Sequence, residues 1–215
     1  MMPKASLTLI AALALAGHAK AASAPLTQKA LRPAIESYLK EKGNFCLNKY
    51  DWPIEVQDGD RPNGTRDAIQ MPALEKVGLV TASRGEPGLT RYELTKEGRK
   101  YYRTQKIVIH RPGDQSVEHS GDLCAAKLVL DRVVSWDAPR ETSAAQSAAA
   151  PQSADHDTQV IVRYTYKVVS APDWTRDPEV AKAFPMMRRI FDGAGSQELE
   201  QSVTWSGRRW EAVTP

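Results

Sequence analysis

The chain has 215 residues, with 29 basic and 26 acidic side chains, and its formal charge of +3 includes Lys4 and Lys20 near the N-terminus. Without those two the net charge is +1, carried as +3 over residues 25–104 and −2 over 105–215. So mild an asymmetry excludes the strong basic footprint of a nucleic-acid binder. The length after residue 21, about 190 residues, suits one large domain or two small ones.

Residues 1–21 read as a secretory signal peptide. Lys4 gives the positive start, 5–17 the apolar stretch, and Ala19-Lys20-Ala21 a small-residue cleavage site. Ala22-Ser23-Ala24 is a second cleavage candidate, with Pro25 after it. The apolar stretch is too short to span a bilayer, so a mature chain in the periplasm, with no transmembrane segment, is expected. Two cysteines remain, Cys46 and Cys124. In an oxidising compartment such a pair suggests one disulfide; the alternative is two buried thiols.

Helical periodicity is strongest at 26–42, where Ala30, Leu31, Ala34, Ile35, Tyr38 and Leu39 form one stripe and Gly43 ends it. Cys46, Trp52, Ile54 and Val56 are candidate core contacts in the segment that follows, and Pro53 confines it to an edge strand or an irregular path. Residues 58–64, rich in Asp, Gly, Asn and Pro, read as loop.

Pro72 fits the first position of a short helix through Ala73, Leu74 and Val77, closed by Gly78 in a left-handed conformation. Strand-like 79–83 and 90–94 flank a turn at 84–88, and Thr95 is placed to cap a further helix. This order, through Leu74-Glu75-Lys76-Val77-Gly78-Leu79-Val80 and Arg91-Tyr92-Glu93-Leu94-Thr95-Lys96-Glu97-Gly98-Arg99, resembles the wing region of winged helix-turn-helix proteins of the MarR and PadR types. The resemblance covers about thirty residues of the chain and implies a winged-helix fold there. In that family the helix before the wing lies in the DNA major groove; here Pro72 leaves it about two turns, with Lys76 as its lone base. No sequence-specific binding of nucleic acid is therefore expected.

On the helix expected after Thr95, Lys96, Arg99, Lys100 and Arg103 recur at i, i+3, i+4 and i+7 and form a basic stripe, with Arg84 and Arg91 near it on the wing. One reading is a contact for an anionic surface; the other is a solvated face. Residues 107–121 read as a strand end and then a loop, where His110, Glu118 and His119 offer metal-ligand chemistry at a spacing that matches no known zinc pattern.

Residues 123–136 and 159–170 are strand-like. The alternation of Leu128, Leu130, Val133 and Val134 shifts phase, which signals a bulge, and Val160, Val162, Tyr164 and Tyr166 share one face. Between them, 138–157 is dominated by Ala, Ser, Gln and Pro and reads as a disordered insert at a hairpin tip. Asp177 caps a helix beginning at Pro178, which Pro185 should kink or split. A last hairpin runs 199–205 and 208–213 through Ser206-Gly207, and Trp136, Trp174, Trp205 and Trp210 suit a sheet–helix core.

The expected fold is α+β: a winged-helix-like α/β module at 22–104 packed with an antiparallel sheet plus one helix at 105–215. The chain carries no G-x-S-x-G, H-E-x-x-H, C-x-x-C or phosphate-cradling glycine loop. These readings point to an exported, non-enzymatic binding or accessory protein without a cofactor, whose partner is an envelope protein or an anionic envelope component. The alternatives are a DNA-binding regulator, if the chain is not exported, and a hydrolase or metal-binding protein of unrecognised geometry.

Overall fold

The computed structural model describes residues 25–60, 64–113, 115–138, 140–141 and 158–214. The expected signal peptide at 1–21 and nearly all of the expected insert at 138–157 lie outside them. In chain order the described elements are α1 (Gln28–Lys42), β1 (Asn44–Cys46), β2 (Ile54–Gln57), α2 (Arg66–Lys76), β3 (Val80–Arg84), β4 (Leu89–Leu94), β5 (Tyr102–Arg111), β6 (Gln115–Trp136), β7 (Arg140–Glu141), β8 (Thr158–Val169), α3 (Pro178–Ala183), α4 (Pro185–Asp192), β9 (Glu198–Trp205) and β10 (Trp210–Ala212). The class is α+β, with antiparallel pairing in both sheets.

The long strand β6 organises the molecule. Its first half pairs with β5; its second half pairs with β8 on one side, and β1 joins it near the middle. The sheet continues β8-β9-β10. The β6–β8 register slips between Leu130 and Arg132 and again between Val133 and Ser135, where the alternation shifts phase. A second sheet has the order β2-β4-β3, which leaves β2, with Pro53 just before it, as an edge strand.

Two cores result. In one, Leu31, Ala34, Ile35 and Leu39 of α1 cover the large sheet through Leu128, Leu130, Val133, Val160, Val162, Tyr164, Tyr166 and Val203. Their spacing is the helical stripe on one partner and the two-residue alternation on the other. In the other core, α2 and the three-stranded sheet meet Val180, Ala183, Phe184 and Met187 of α3 and α4, with Leu123 and Ala125 of β6 beneath. Both cores draw elements from either side of residue 104. Cys46 and Cys124 are disulfide-bonded across β1 and β6, close to where β6 passes from one core to the other.

Several local expectations hold. Gly43 ends α1. Gly78 takes φ 74° and turns the chain so that buried Leu79 bonds back to the Leu74 carbonyl. The Asp177 carboxylate accepts from the Glu179 and Val180 amides, and the helix splits at Phe184, with Pro185 starting α4. Trp210 is buried, and Trp205 tilts against it at 5.6 Å.

Three expectations need correction. The helix before the wing starts at Arg66, not at Pro72, and runs 11 residues with Pro72 inside it. Proline forfeits one backbone bond there, but Ala68, Met71 and Leu74 are buried on one face and hold the helix through it. The helix expected after Thr95 is a single 3₁₀ turn, Gly98–Lys100. Thr95 does cap it, accepting from the Gly98 amide at 3.0 Å. Gly98 is buried against the Leu79 carbonyl, and the chain enters β5 at once. Residues 107–121 are not a strand end and a loop but two paired strands, in register from Ile107 opposite His119 to Arg111 opposite Gln115.

Candidate binding cleft

Of the six basic residues singled out from the sequence, Lys96, Arg99, Lys100 and Arg103 do not form a helical stripe, because the helix that would align them is absent. Arg103 lies on β5 and donates to the Asn44 side chain at 2.8 Å. Lys100 pairs with Glu97 at 2.5 Å, and Arg91 pairs with Glu55 on the neighbouring strand β2 and with Glu93 on its own strand. Arg84, Lys96 and Arg99 are exposed. The metal-ligand candidates are also separated: His110 stands opposite Ser116, while His119 stacks on Tyr50 at 4.3 Å and bonds Asp51 at 2.6 Å. Glu118 pairs with Lys106.

A concave site lies elsewhere, between the β1 turn, the start of α2 and the α3–α4 junction. It is a cleft of about 670 Å³. Buried Leu47, Ala183, Phe184 and Met187 form its floor, and Phe45 and Cys46 its side. The rim carries two large apolar side chains in solvent: Ile69 is 50% exposed and Met186 is 56% exposed. Two cations complete the rim, Arg66 on α2 and Lys182 on α3, and among the described residues no acidic one lines the cleft. Among the described residues neither cation has an ion-pair partner.

The split at Pro185 builds one wall. Phe184 leaves helical geometry at φ −122°, ψ 69° and drops inward, while Pro185 restarts the chain so that Met186 projects outward and Met187 inward. Gln70 of α2 links the walls. Its side-chain amide donates to the Ala183 carbonyl at 3.1 Å. Its Oε1, itself buried, has no partner among the described residues. A buried acceptor without a donor costs about 1–3 kcal/mol, and such atoms are rare enough in folded proteins to need a reason.

A polar knot fixes the opposite wall. Asn48 takes φ 58°, a left-handed conformation that Asn tolerates better than most residues. The amides of Asn48 and Lys49 donate to the Asp122 carboxylate at 3.2 and 2.7 Å. Burial pushes the Asp122 carboxyl above its ordinary pKa, with those backbone bonds working against it. Lys49, 1% exposed, reaches Asp67 in the first turn of α2 at 2.5 Å. Burial lowers the Lys49 pKa, and the bond to Asp67 opposes that shift. Tyr102 donates to the Tyr50 carbonyl at 2.6 Å and ties the turn to β5.

Arg66, Gln70 and Lys182 were not legible as site residues in the sequence. Gln70 left one trace: it interrupts the apolar run Ala68, Met71, Leu74 on the buried face of α2. No known protein family, curated protein or solved structure matches the chain.

Proposed function

We propose that this is an exported binding protein without chemistry of its own, and that the cleft between α2 and the α3–α4 junction holds its partner, an envelope component with apolar and anionic parts. The observation that carries the proposal is an apolar cleft with Ile69 and Met186 exposed at its rim beside two cations, Arg66 and Lys182, that have no ion-pair partner among the described residues. Apolar lining with a few charged groups at the edge is the ordinary make-up of a binding cleft. Export is supported by the three-part pattern at 1–21 and by the Cys46–Cys124 bond, which persists in oxidising compartments. Among the described residues, no helix is long and apolar enough to cross a membrane. The buried face of α2 is committed to the core, and Gln70 ties α2 to α3, which favours a protein or envelope partner over a DNA groove.

A photo-crosslinking amino acid placed at Met186 in the full chain, expressed in bacteria, tests this. A matched control carries it at exposed Lys29 on α1. The expected result is an export-competent protein that forms a discrete envelope adduct from position 186 and none from 29. Absence of any adduct at 186, or retention of the protein in the cytoplasm, would overturn the proposal.

A further inference from the structure

The make-up of the cleft narrows the class of partner, and this step rests on the binding role proposed above. We infer that the cleft holds a free long-chain fatty acid, its alkyl chain laid on the apolar floor and its carboxylate at the rim with Arg66 and Lys182.

Three observations select that ligand. The first is what the floor lacks. The side chains of Leu47, Ala183, Phe184 and Met187 offer no donor and no acceptor. A peptide laid on them would bury backbone N–H and C=O groups against carbon, a cost for each group left unpaired. An alkyl chain has no such groups, and each methylene taken out of water favours binding. The second is charge. Arg66 on α2 and Lys182 on α3 are exposed; among the described residues neither has an ion-pair partner, and no acidic one lines the cleft. Both side chains only donate. The rim therefore matches a head group that accepts and carries negative charge, as a carboxylate does. The hydroxyls of a glycerol or sugar head would find no carboxylate there to donate to. The third is shape. Rim residues Ile69 and Met186 are half in solvent, and the floor between them is buried. A chain lying across the floor covers apolar surface that the fold leaves in water. The cleft, about 670 Å³, has the ordinary size of a small-molecule site.

The test is isothermal titration calorimetry of the purified, disulfide-bonded chain with sodium dodecanoate, kept below the concentration at which it forms micelles. One saturable site is expected. Decanoate should bind about tenfold more weakly, in line with two fewer buried methylenes. Dodecyltrimethylammonium carries a chain of the same length and the opposite charge, and should also bind about tenfold more weakly. Arg66→Glu with Lys182→Glu should invert that preference, so that the ammonium ligand binds more tightly than dodecanoate. Lys29→Glu with Arg208→Glu changes the net charge equally at exposed positions that do not line the cleft. That variant should bind dodecanoate within about twofold of the parent, since salt screens distant exposed charges. Circular dichroism and thermal melts establish that each variant is folded.

Dodecanoate heats that do not saturate overturn the inference. So do equal binding of the two head groups by the parent, or a charge reversal at the cleft that costs no more than the matched reversal elsewhere. Tighter binding of a dodecanoyl lysophosphatidylglycerol than of dodecanoate would overturn the carboxylate. The Met186 crosslink separates these failures from failure of the binding role. An adduct heavier by the mass of a fatty acid agrees with the inference. A protein adduct sinks the fatty acid and keeps the binding role; no adduct sinks both.

Discussion

The Lys49–Asp67 pair is one contact with two very different ends, and its two halves should respond to mutation with opposite signs. Lys49 is 1% exposed and Asp67 is 40% exposed, and 2.5 Å separates Nζ from Oδ1. Removing one partner of a buried pair costs about 3–5 kcal/mol when a buried charge is left behind. Asp67→Ala does that: it strands the Lys49 ammonium, and the nearby Asp122 carboxylate, already bonded to two backbone amides, offsets only part of the loss. We expect a cost of about 3 kcal/mol, the low end of the range. Lys49→Met instead removes the buried charge, keeps the volume, and leaves Asp67 where water reaches it. The expected change is between zero and about 2 kcal/mol of stabilisation. Urea denaturation of the disulfide-bonded protein measures both, and an unchanged slope confirms that the same surface unfolds. The pH dependence adds a second reading. The folded pKa of Lys49 lies below 10.5, so the unfolded chain binds the extra proton and stability rises with pH. The deficit of Asp67→Ala should therefore shrink as pH rises from 7 toward 10. Lys49→Met costing as much as Asp67→Ala, or an Asp67→Ala deficit that does not change with pH, would refute the reasoning.

The other expectations concern the frame around the cleft. The Cys46–Cys124 bond closes a loop of 78 residues, so replacing both cysteines with alanine should cost about 4–5 kcal/mol in the chain-entropy treatment, read by denaturation against the oxidised parent. Thiol labelling of the denatured, unreduced protein should find no reactive cysteine. Gly98→Ala drives a Cβ into the Leu79 carbonyl, with the Leu94 side chain 3.1 Å away, so a loss on the order of 2–3 kcal/mol is expected. A melting temperature equal to the parent's would contradict that packing. For Asp122 the raised folded pKa means the native state holds its proton more tightly than the unfolded chain. Its stabilising share is full below pH 3.8 and fades as pH rises through the raised value. Asp122→Asn lacks this share and keeps one acceptor oxygen for the Asn48 and Lys49 amides. The melting-temperature gap between parent and variant should therefore widen from pH 7 to pH 4; a gap that narrows would show that the backbone bonds, not burial, set the carboxyl.

What was legible in the sequence is what neighbouring residues decide among themselves. The α1 stripe follows from a 3.6-residue repeat, and the two-residue alternation of β8 from pleating. Asp177 before Pro178, and Pro185 seven residues on, set the start and the break of α3 and α4 by capping and by a missing N–H. Gly207 at φ 85° turns the last hairpin. The rest was decided at a distance. Pro72 reads locally as a helix start, yet α2 begins at Arg66, because Met71 and Leu74 are buried in the core and Lys49, 18 residues earlier, holds Asp67. Thr95 caps correctly, but the helix stops after one turn, since buried Gly98 lies on Leu79 and Tyr102 is claimed by Leu123 across the sheet. The cleft is the clearest case. Gln70 meets Ala183 across 113 residues, and Asp67, next to Arg66 in the chain, is taken by Lys49. Local patterning can mark which face of a helix is apolar. It has no means of saying which distant carbonyl a buried side-chain amide will meet.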